Sequence, residues 1–411
     1  MLLHSMLRDR IRVGRLAVVY ADGSVENYGD GSGAPVAVRL TRAGARRILQ
    51  DPGLGLGEAY MEGDLEFERG DVWALLELTG RNFDRGPRRL SIVDRLKVAV
   101  LHRLQQMNDR PRARRNVAHH YDLSSDLYSR FLDEDMQYSC AYFARRDMSL
   151  EEAQSAKKAH LAAKLRLLPG HRVLDIGCGW GGLALTLAGD YGAQVTGVTL
   201  SAEQLAVAGQ RAAERGLANQ ARFSMEDYRD VRGPFDRIVS VGMLEHVGEP
   251  NFPAYFERVA ELLTDDGVAL IHAIGRMDPP GVTNPFIAKY IFPGGYIPAL
   301  SEVTAAVEAA GLWITDIEVL RLHYAETLRH WRERFMAGRE AIALIYDERF
   351  CRMWEFYLSV SELSFRAGAH MNFQIQLTKR VDALPMTRNY MTDAERAAPA
   401  AVRLGGRRTW A

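Results

Sequence analysis

The sequence predicts an α/β fold in which a mainly parallel sheet of seven strands carries helices on both faces. Apolar runs with strand character alternate with helical patterns through most of the chain beyond residue 170. Parallel neighbours need a long crossover, usually a helix, so this alternation favours a parallel sheet. The expected strands are residues 173–177, 194–199, 221–224, 236–241, 268–274, 314–320 and 373–377.

The first of these strands leads directly into a glycine-rich turn and a helical pattern. Within LDIGCGWGG (174–182), Asp175 precedes glycines that recur at every second position. Glycine has no Cβ, so a ligand can lie against the amide groups at the start of the helix. A nicotinamide site usually has an acid about 20 residues further on, where this chain has Thr199 and Ser201. The turn therefore resembles the D-x-G-x-G-x-G loop of S-adenosylmethionine (SAM) methyltransferases.

Composition limits the other classes of function. The 52 basic and 52 acidic residues cancel, so the whole chain has no bias towards nucleic acid or other polyanions. Three scattered cysteines are too few for a disulfide framework or a zinc site, which favours a cytoplasmic compartment and no metal. The N-terminus meets charge too early for a signal peptide, and no apolar stretch reaches about 18 residues. A peripheral position on the inner face of a membrane remains open.

Patterns along the chain suggest four segments. Residues 1–80 combine expected strands at 15–20 and 36–40 with helical patterns at 43–49 and 72–78, typical of a small N-terminal α+β domain that binds lipid or joins subunits. Residues 81–115 form a basic amphipathic connector, which either lies on anionic lipid or is a solvated linker helix. Residues 116–384 contain the catalytic unit, and residues 385–411 are expected to be a poorly ordered tail.

The helix before the glycine turn has its own signals. Ser149 and Glu152 fit a capping box, and Leu161, Leu165 and Leu168 are expected to form its buried stripe.

Two apolar regions of the catalytic segment allow two interpretations each. Residues 276–300 contain five prolines and several large apolar side chains, and could roof an apolar pocket. Helical patterns at 325–366 carry bulky side chains that either form core or line a tunnel for an acyl chain. These side chains are Trp331, Phe335, Trp354, Phe356 and Tyr357.

Six motifs in order resemble the cyclopropane-fatty-acyl-phospholipid synthases, together with the related mycolic acid cyclopropane synthases and methyltransferases. The resemblance covers residues 116–335 and extends more weakly to LGLGEAYMEGDLE (54–66). The motifs are YSCAYF (138–143), LDIGCGWGG (174–182), VTLSAEQ (198–204), VSVGMLEHVG (239–248), IHAIG (271–275) and KYIFPGG (289–295).

This resemblance implies a class I SAM-dependent methyltransferase with a Rossmann-like sheet. In the family, the cis double bond of a phospholipid acyl chain attacks the methyl sulfonium of SAM, and bicarbonate then removes a proton so that cyclopropane forms. Donors suit such an anion beside a developing cation, and aromatic faces at Tyr290, Phe292 and Tyr296 could stabilise the cation. The implied bicarbonate site consists of Cys140, Glu245, His272, Ile274 and Tyr324.

The same resemblance implies how SAM is held. Glycines form an amide cradle that Asp175 orients, polar side chains after the second strand reach the ribose or the amino-acid part, and an acid after the third strand holds adenine. The implied cofactor-binding residues are Tyr138, Ser139, Asp175, Gly177, Gly179, Gly181, Thr199, Ser201, Gln204 and Asp227.

Several alternatives remain at this level. The product could be a methyl-branched or methylated dienoic chain, of the tuberculostearic or furan fatty acid type, rather than a ring. The chain could instead methylate a small soluble acceptor, or could be a non-catalytic lipid-binding protein that keeps SAM as a structural ligand. Unsaturated phospholipid chains are the expected partner, with peripheral membrane contact and a homodimer as further expectations.

Overall fold

The computed structural model describes residues 2–83 and 125–398, which form two compact units. Of these residues, the first unit comprises 2–83, 282–293 and 328–369, and the second comprises 125–281, 294–327 and 370–398. The division does not follow one boundary in the sequence, because two later segments group with the N-terminal residues. The basic connector expected at 81–115 lies outside the described residues from residue 84 onwards.

The first unit contains a sheet of order β2-β1-β3-β4. Its strands are β1 Arg15–Tyr20, β2 Val25–Tyr28, β3 Pro35–Leu40 and β4 Leu65–Arg69. β1 and β3 pair in parallel, and the two outer pairings are antiparallel. The prediction of β1 and β3 is confirmed. The sequence misses β2 and β4, because VENY and LEFER are short and contain few apolar residues.

The helices that accompany this sheet are α1 Leu2–Arg10, α2 Arg42–Gln50, α3 Pro52–Met61 and α4 Val72–Arg81. Side chains of Thr41, Asp51 and Asp71 cap α2, α3 and α4 by accepting backbone N–H groups of their first turns. The helical patterns at 43–49 and 72–78 are thereby confirmed.

The later residues of the first unit are helical, as the sequence predicts. The helices are His323–Ala337, which belongs to this unit from residue 328, then Arg339–Ile345 and Glu348–Arg366. The five bulky side chains named in the sequence analysis are all buried, as a packed core requires, whereas Phe350 is partly exposed. From the proline-rich insertion, Phe286 is also buried, with its ring 4.8 Å from that of Phe356.

The second unit contains a seven-stranded sheet of order β10-β11-β9-β8-β5-β6-β7. Only β11 runs antiparallel to its neighbours, β9 and β10. All seven expected strands are confirmed, with ends that differ by up to five residues. They are β5 Arg172–Ile176, β6 Gln194–Thr199, β7 Ala221–Met225, β8 Phe235–Val241, β9 Leu263–Arg276, β10 Trp313–Val319 and β11 His370–Thr378.

Helices cover both faces of this sheet. They include α5 Ser125–Ser129, α6 Leu150–Lys164, α7 Gly182–Tyr191, α8 Ala202–Glu214, α9 Phe252–Leu262 and α10 Leu300–Ala309. Alternate residues of one strand belong to different cores: Val173 packs with Leu185 on one face, and Leu174 packs with Phe373 on the other. Two apolar layers therefore enclose the central strands of the sheet, whereas the edge strands β7 and β10 are partly exposed.

Two local predictions about the second unit are partly wrong. The capping box of Ser149 and Glu152 is present, and Leu161 and Leu165 are buried, but Leu168 is 53% exposed. The helix ends at Lys164, so Leu168 no longer follows its periodicity. In the expected disordered tail, Asn389–Ala397 forms a helix, and its Glu395 bonds to His160 of α6. Residues 399–411 lie outside the described part of the chain.

Candidate active site

A cavity lies at the carboxyl ends of β5, β6, β7 and β8, where open α/β sheets bind their ligands. Segments 136–139, 175–183, 226–229 and 241–247 provide most of its wall. Eight of the ten predicted cofactor-binding residues belong to this wall. They are Tyr138, Ser139, Asp175, Gly177, Gly179, Thr199, Gln204 and Asp227.

Gly181 and Ser201 do not line the cavity, but each is next in sequence to residues that do or holds one of them. Gly181 has a φ of +80° and precedes α7, and a Cβ there would meet Phe223 Cζ at 2.9 Å. Only glycine allows both this backbone conformation and the close approach of the turn to its neighbours. Ser201 caps α8, accepting from Gln204 N at 3.3 Å. Both residues therefore shape the site without lining it.

Asp175 places a carboxylate in the wall at the end of β5. The residue is 2% exposed, and its Oδ2 accepts no hydrogen bond from the described residues. Burial raises the pKa of this carboxyl to about 7, although the charge of Lys157 opposes the shift. A buried acceptor without a partner is expensive, so this oxygen is suited to a donor on a ligand.

The polar residues after β6 form a fixed network. Thr199 donates from Oγ1 to Gln204 Oε1 at 2.8 Å, and accepts from Ser201 N at 3.2 Å. The other end of this amide, Gln204 Nε2, donates to none of the described residues. The side chain of Gln204 can therefore present a donor to a ligand hydroxyl.

Asp227 is buried and already paired with the side chain of Arg229. Its Oδ1 accepts from Arg229 Nε at 2.8 Å, and its Oδ2 accepts from Arg229 Nη2 at 2.5 Å. Such a bidentate pair fixes both side chains in the wall, where Glu226 also lies. The sequence missed Arg229, because nothing in the pattern SMEDYRD distinguishes it from a surface residue.

The segment before the YSCAYF motif closes another side of the cavity. Asp135 pairs with Arg211 and with Lys158, and Arg211 also donates to the carbonyl of Trp180 at 2.9 Å. Gln137 donates from Nε2 to Asp135 Oδ2 at 3.1 Å. These contacts join residues 135–139 to the glycine turn and to α8.

Two of the residues implied for an anion site are in direct contact. Ile274 N donates to Glu245 Oε1 at 2.6 Å, whereas Glu245 Oε2 is buried and has no partner among the described residues. Burial raises the pKa of Glu245 to about 7 against the effect of this hydrogen bond. Near neutral pH, the residue can thus carry a proton or accept one.

His272 precedes Ile274 by two positions on β9, so their side chains point to the same face of the sheet. It is 1% exposed, and burial lowers its pKa well below the usual range, which keeps the ring neutral. Gln374 Nε2 lies 3.1 Å from Nδ1, and Asn372 Nδ2 lies 3.4 Å from Nε2. These amides from β11 fix the orientation of the ring.

Cys140 and Tyr324 belong to two segments that pack together. Ala141 N donates to Thr327 Oγ1 at 3.0 Å, and Tyr324 is three residues before Thr327 on the same helix face. Cys140 is fully buried, which raises the pKa of its thiol. Within the described residues, no hydrogen bond joins Cys140 to Glu245 or His272. The charge of Lys157 nevertheless influences both Cys140 and His272.

The three aromatic residues suggested for cation stabilisation have separate roles in packing. Tyr290 donates to Glu58 Oε1 at 2.8 Å within the first unit, where the Phe292 ring lies 6.0 Å from that of Tyr357. In the second unit, Tyr296 N donates to the Glu245 carbonyl at 2.9 Å. Tyr296 thus contacts a residue of the implied anion site.

Sequence reasoning also missed Lys157 and Gln137. Lys157 is 0% exposed on α6 and donates to Gln137 Oε1 and Ser139 Oγ. A signal existed: positions 150, 154, 157 and 161 share one helix face, and two of them are polar where an apolar stripe is expected. Polar residues inside such a stripe indicate a buried polar contact.

Among residues 2–83 and 125–398, no helix is long and apolar enough to cross a bilayer. Within the same residues, no three His, Cys, Asp or Glu side chains are grouped as metal ligands.

Comparisons with known proteins agree with this geometry. Residues 108–375 match the family model of mycolic acid cyclopropane synthetase, and residues 2–85 match a domain of unknown function. The chain is 41% identical over 350 residues to the cyclopropane-fatty-acyl-phospholipid synthase of Escherichia coli, covering 85% of this chain and 89% of that protein. It is 40% identical to the tuberculostearic acid methyltransferase UfaA1 of Mycobacterium tuberculosis, covering 86% and 85% of the two chains.

Solved structures show the same likeness over the methyltransferase fold. The cyclopropane synthase MmaA2 from Mycobacterium tuberculosis matches with a TM-score of 0.62 and 34% identity, covering 66% of this chain and 99% of that one. Mycolic acid cyclopropane synthase CmaA1 complexed with SAH and CTAB matches with a TM-score of 0.61 and 35% identity, covering 64% and 97%.

Proposed function

The chain belongs to the mycolic acid cyclopropane synthetase family and is a SAM-dependent methyltransferase, and from this premise we propose a substrate and a base. The proposed substrate is the cis double bond of an unsaturated acyl chain in a membrane phospholipid. The proposed product is a cyclopropane fatty acyl chain, and bound bicarbonate is the proposed base. The name of the Escherichia coli relative supports the substrate class.

The cavity fits SAM on two observations. The unpartnered Oδ2 of Asp175 suits a donor such as an ammonium, and the turn at Gly177 and Gly179 brings backbone close to the ligand space. When bound, SAM supplies an electrophilic methyl group on its sulfonium. The residues of the chain would bind and orient it: Gln204 would offer an amide donor, and Asp227, held by Arg229, would lie on the adenine side.

One observation carries the proposal of a bicarbonate base: the geometry of Glu245. Its Oε1 is held by Ile274 N at 2.6 Å, and its buried Oε2 needs a donor. A small oxyanion that retains one hydroxyl can give that hydrogen to Oε2, which removes the cost of the unpartnered oxygen. Glu245 would then orient the anion, while neutral His272 stays fixed between Gln374 and Asn372.

Membrane contact is proposed from the sequence pattern of residues 81–115, with its excess of arginine over acidic residues. A peripheral protein of this kind reaches acyl chains from the inner surface of the bilayer. Such binding depends on charge, so anionic vesicles should retain the protein at low salt and release it as salt increases.

Mass spectrometry of lipids tests the proposed reaction. Cells that express the full chain and receive methyl-labelled methionine should accumulate labelled phospholipid acyl chains, whose ring protons identify cyclopropane by nuclear magnetic resonance. Glu245→Gln serves as the inactive control. Label in a soluble small molecule instead of lipid would contradict the proposed substrate.

A second candidate product is a methyl-branched chain. The chain is 40% identical to a tuberculostearic acid methyltransferase, and this sequence identity is nearly equal to the 41% identity with the cyclopropane-fatty-acyl-phospholipid synthase. An anion oriented by Glu245 would remove a proton from a cationic lipid whichever carbon loses it, so the proposed site suits either product. Labelled chains that lack ring protons would favour this second product.

A further inference from the structure

Lys157 lies on the face of α6 that packs against residues 137–139. Its Nζ donates to Gln137 Oε1 at 2.7 Å and to Ser139 Oγ at 2.8 Å. Gln154, three residues earlier on the same helix face, donates from Nε2 to the Ser139 carbonyl at 2.9 Å and to the Gln137 carbonyl at 3.2 Å. α6 therefore fixes both the backbone and the side chains of a segment that lines the cofactor cavity.

The stability of the fold does not explain this buried ammonium. Lys157 is 0% exposed and forms an ion pair with no carboxylate among the described residues, so two neutral acceptors are its direct compensation. Neutral acceptors offset the desolvation of a charge less well than a carboxylate does. An apolar side chain of similar length would pack at lower cost, so a role in the site is the better explanation.

The lysine also fixes the direction of one hydrogen in the cavity wall. An ammonium has donors but no acceptor, so Ser139 Oγ must accept in this contact. The Ser139 hydroxyl donates to none of the described residues, which leaves its hydrogen available to a ligand. Gln137 is fixed in the same way, because Oε1 accepts from Lys157 while Nε2 donates to Asp135 Oδ2.

We propose that Lys157 is a positioning residue that makes the cavity wall at Ser139 a site for a carboxylate. The amino-acid part of SAM has a carboxylate and an ammonium, and a hydroxyl donor backed by positive charge selects the carboxylate. Asp175, with an unpartnered oxygen on the same cavity, has the opposite charge and suits the ammonium. The inference rests on SAM binding alone and is independent of the lipid product.

Calorimetric titration of the full chain with three ligands tests this assignment. The ligands are S-adenosylhomocysteine, its decarboxylated analogue, and methylthioadenosine, which lacks the amino-acid part. The wild type should bind S-adenosylhomocysteine on the order of tenfold more tightly than the decarboxylated analogue, the range of one charge-assisted hydrogen bond. Lys157→Met should abolish this preference and leave methylthioadenosine binding unchanged. Ser139→Ala should lose the same preference with the lysine in place.

Lys164→Met is the matched control. Lys164 is 1% exposed on the same helix but pairs with Glu318 outside the cavity wall, so its loss should leave the carboxylate preference intact. The inference is overturned if Lys157→Met retains the wild-type preference. It is also overturned if Lys157→Met weakens methylthioadenosine as much as S-adenosylhomocysteine, since that result describes collapse of the cavity.

The pH dependence of the carboxylate preference is a second measurement, made on the folded wild-type protein. Burial lowers the pKa of Lys157 to about 8, so the wild-type preference should decline as pH rises through that value. Lys157→Arg should keep it at higher pH, because arginine retains its charge. An identical decline in both proteins would overturn the role of Lys157. Its charged and titratable neighbours are Asp133, Asp135, Lys158, Cys140, Asp175 and His272.

Discussion

Replacing Glu245 by glutamine should stabilise the second unit above neutral pH while it removes most turnover. Burial raises the pKa of Glu245 from 4.5 to about 7, so the ionised form is disfavoured in the folded state. For an acid with a raised pKa, folding stability falls as pH rises from the unfolded value to the folded value, and stays lower above it. The shift corresponds to a penalty of about 3 kcal/mol at pH 8.5 and about 1 kcal/mol at pH 5.

Glutamine cannot ionise, and its amide oxygen can still accept from Ile274 N. The variant should therefore be more stable than the wild type by about 3 kcal/mol at pH 8.5, but by only about 1 kcal/mol at pH 5. The free energy of unfolding of this unit is measured in urea titrations, in which hydrogen exchange of a peptide that contains β9 reports the unfolded fraction. Glu261→Gln, at a side chain 64% exposed, is the control.

The result that refutes this reasoning is an equal difference between variant and wild type at both pH values. In that case the carboxyl would titrate normally in the fold. If the variant also retained full turnover and full affinity for S-adenosylhomocysteine, Glu245 would have no place in the reaction.

Two further predictions concern the cofactor turn and the C-terminal helix. Gly181→Ala should weaken S-adenosylhomocysteine binding by roughly tenfold or more, because Gly181 has a φ of +80° and a Cβ there would lie 2.9 Å from Phe223 Cζ. Unchanged affinity in a calorimetric titration would contradict this prediction. Burial opposes protonation of His160, but hydrogen bonds to Glu318 and Glu395 outweigh it and raise its pKa. The stabilisation that His160 provides is thus complete below its unfolded pKa and is lost as pH rises through its folded pKa. Hydrogen exchange in Asn389–Ala397 should therefore accelerate with pH by more than the intrinsic exchange rate does. His160→Gln should abolish this additional acceleration.

The strands of the second unit were predictable because each has a physical signature in sequence. A strand buried on both faces must be apolar at successive positions, as Val173 and Leu174 are, and helical spacing resumes after each one. In the first unit, β2 and β4 have exposed positions and charged residues, so no such signature remains. Local pattern also cannot assign residues 328–369 to a unit, since tertiary packing decides that.

The family motifs locate most of the residues around the cavity. They do not identify the side chains that position those residues. Ser201 fits its motif, yet it serves α8 as a cap. Asp227 was found without Arg229, and Ser139 without Lys157, although each partner determines what its neighbour can donate or accept. Sequence shows which polar groups exist, but only packing shows which of their hydrogen-bonding positions are already used.

Unfavourable burial of charge is common to three residues of the candidate site, Asp175, Glu245 and Lys157. Asp175 and Glu245 each have a pKa raised to about 7, and each has one oxygen without a partner among the described residues. Burial also lowers the pKa of Lys157 to about 8. A ligand that supplied the missing donors or acceptors would remove this cost, and the gain would be part of its binding free energy and therefore of the stabilisation that it provides. In the proposed site, the burial that makes these groups costly in the fold would also make them selective for ligands with matching donors and acceptors.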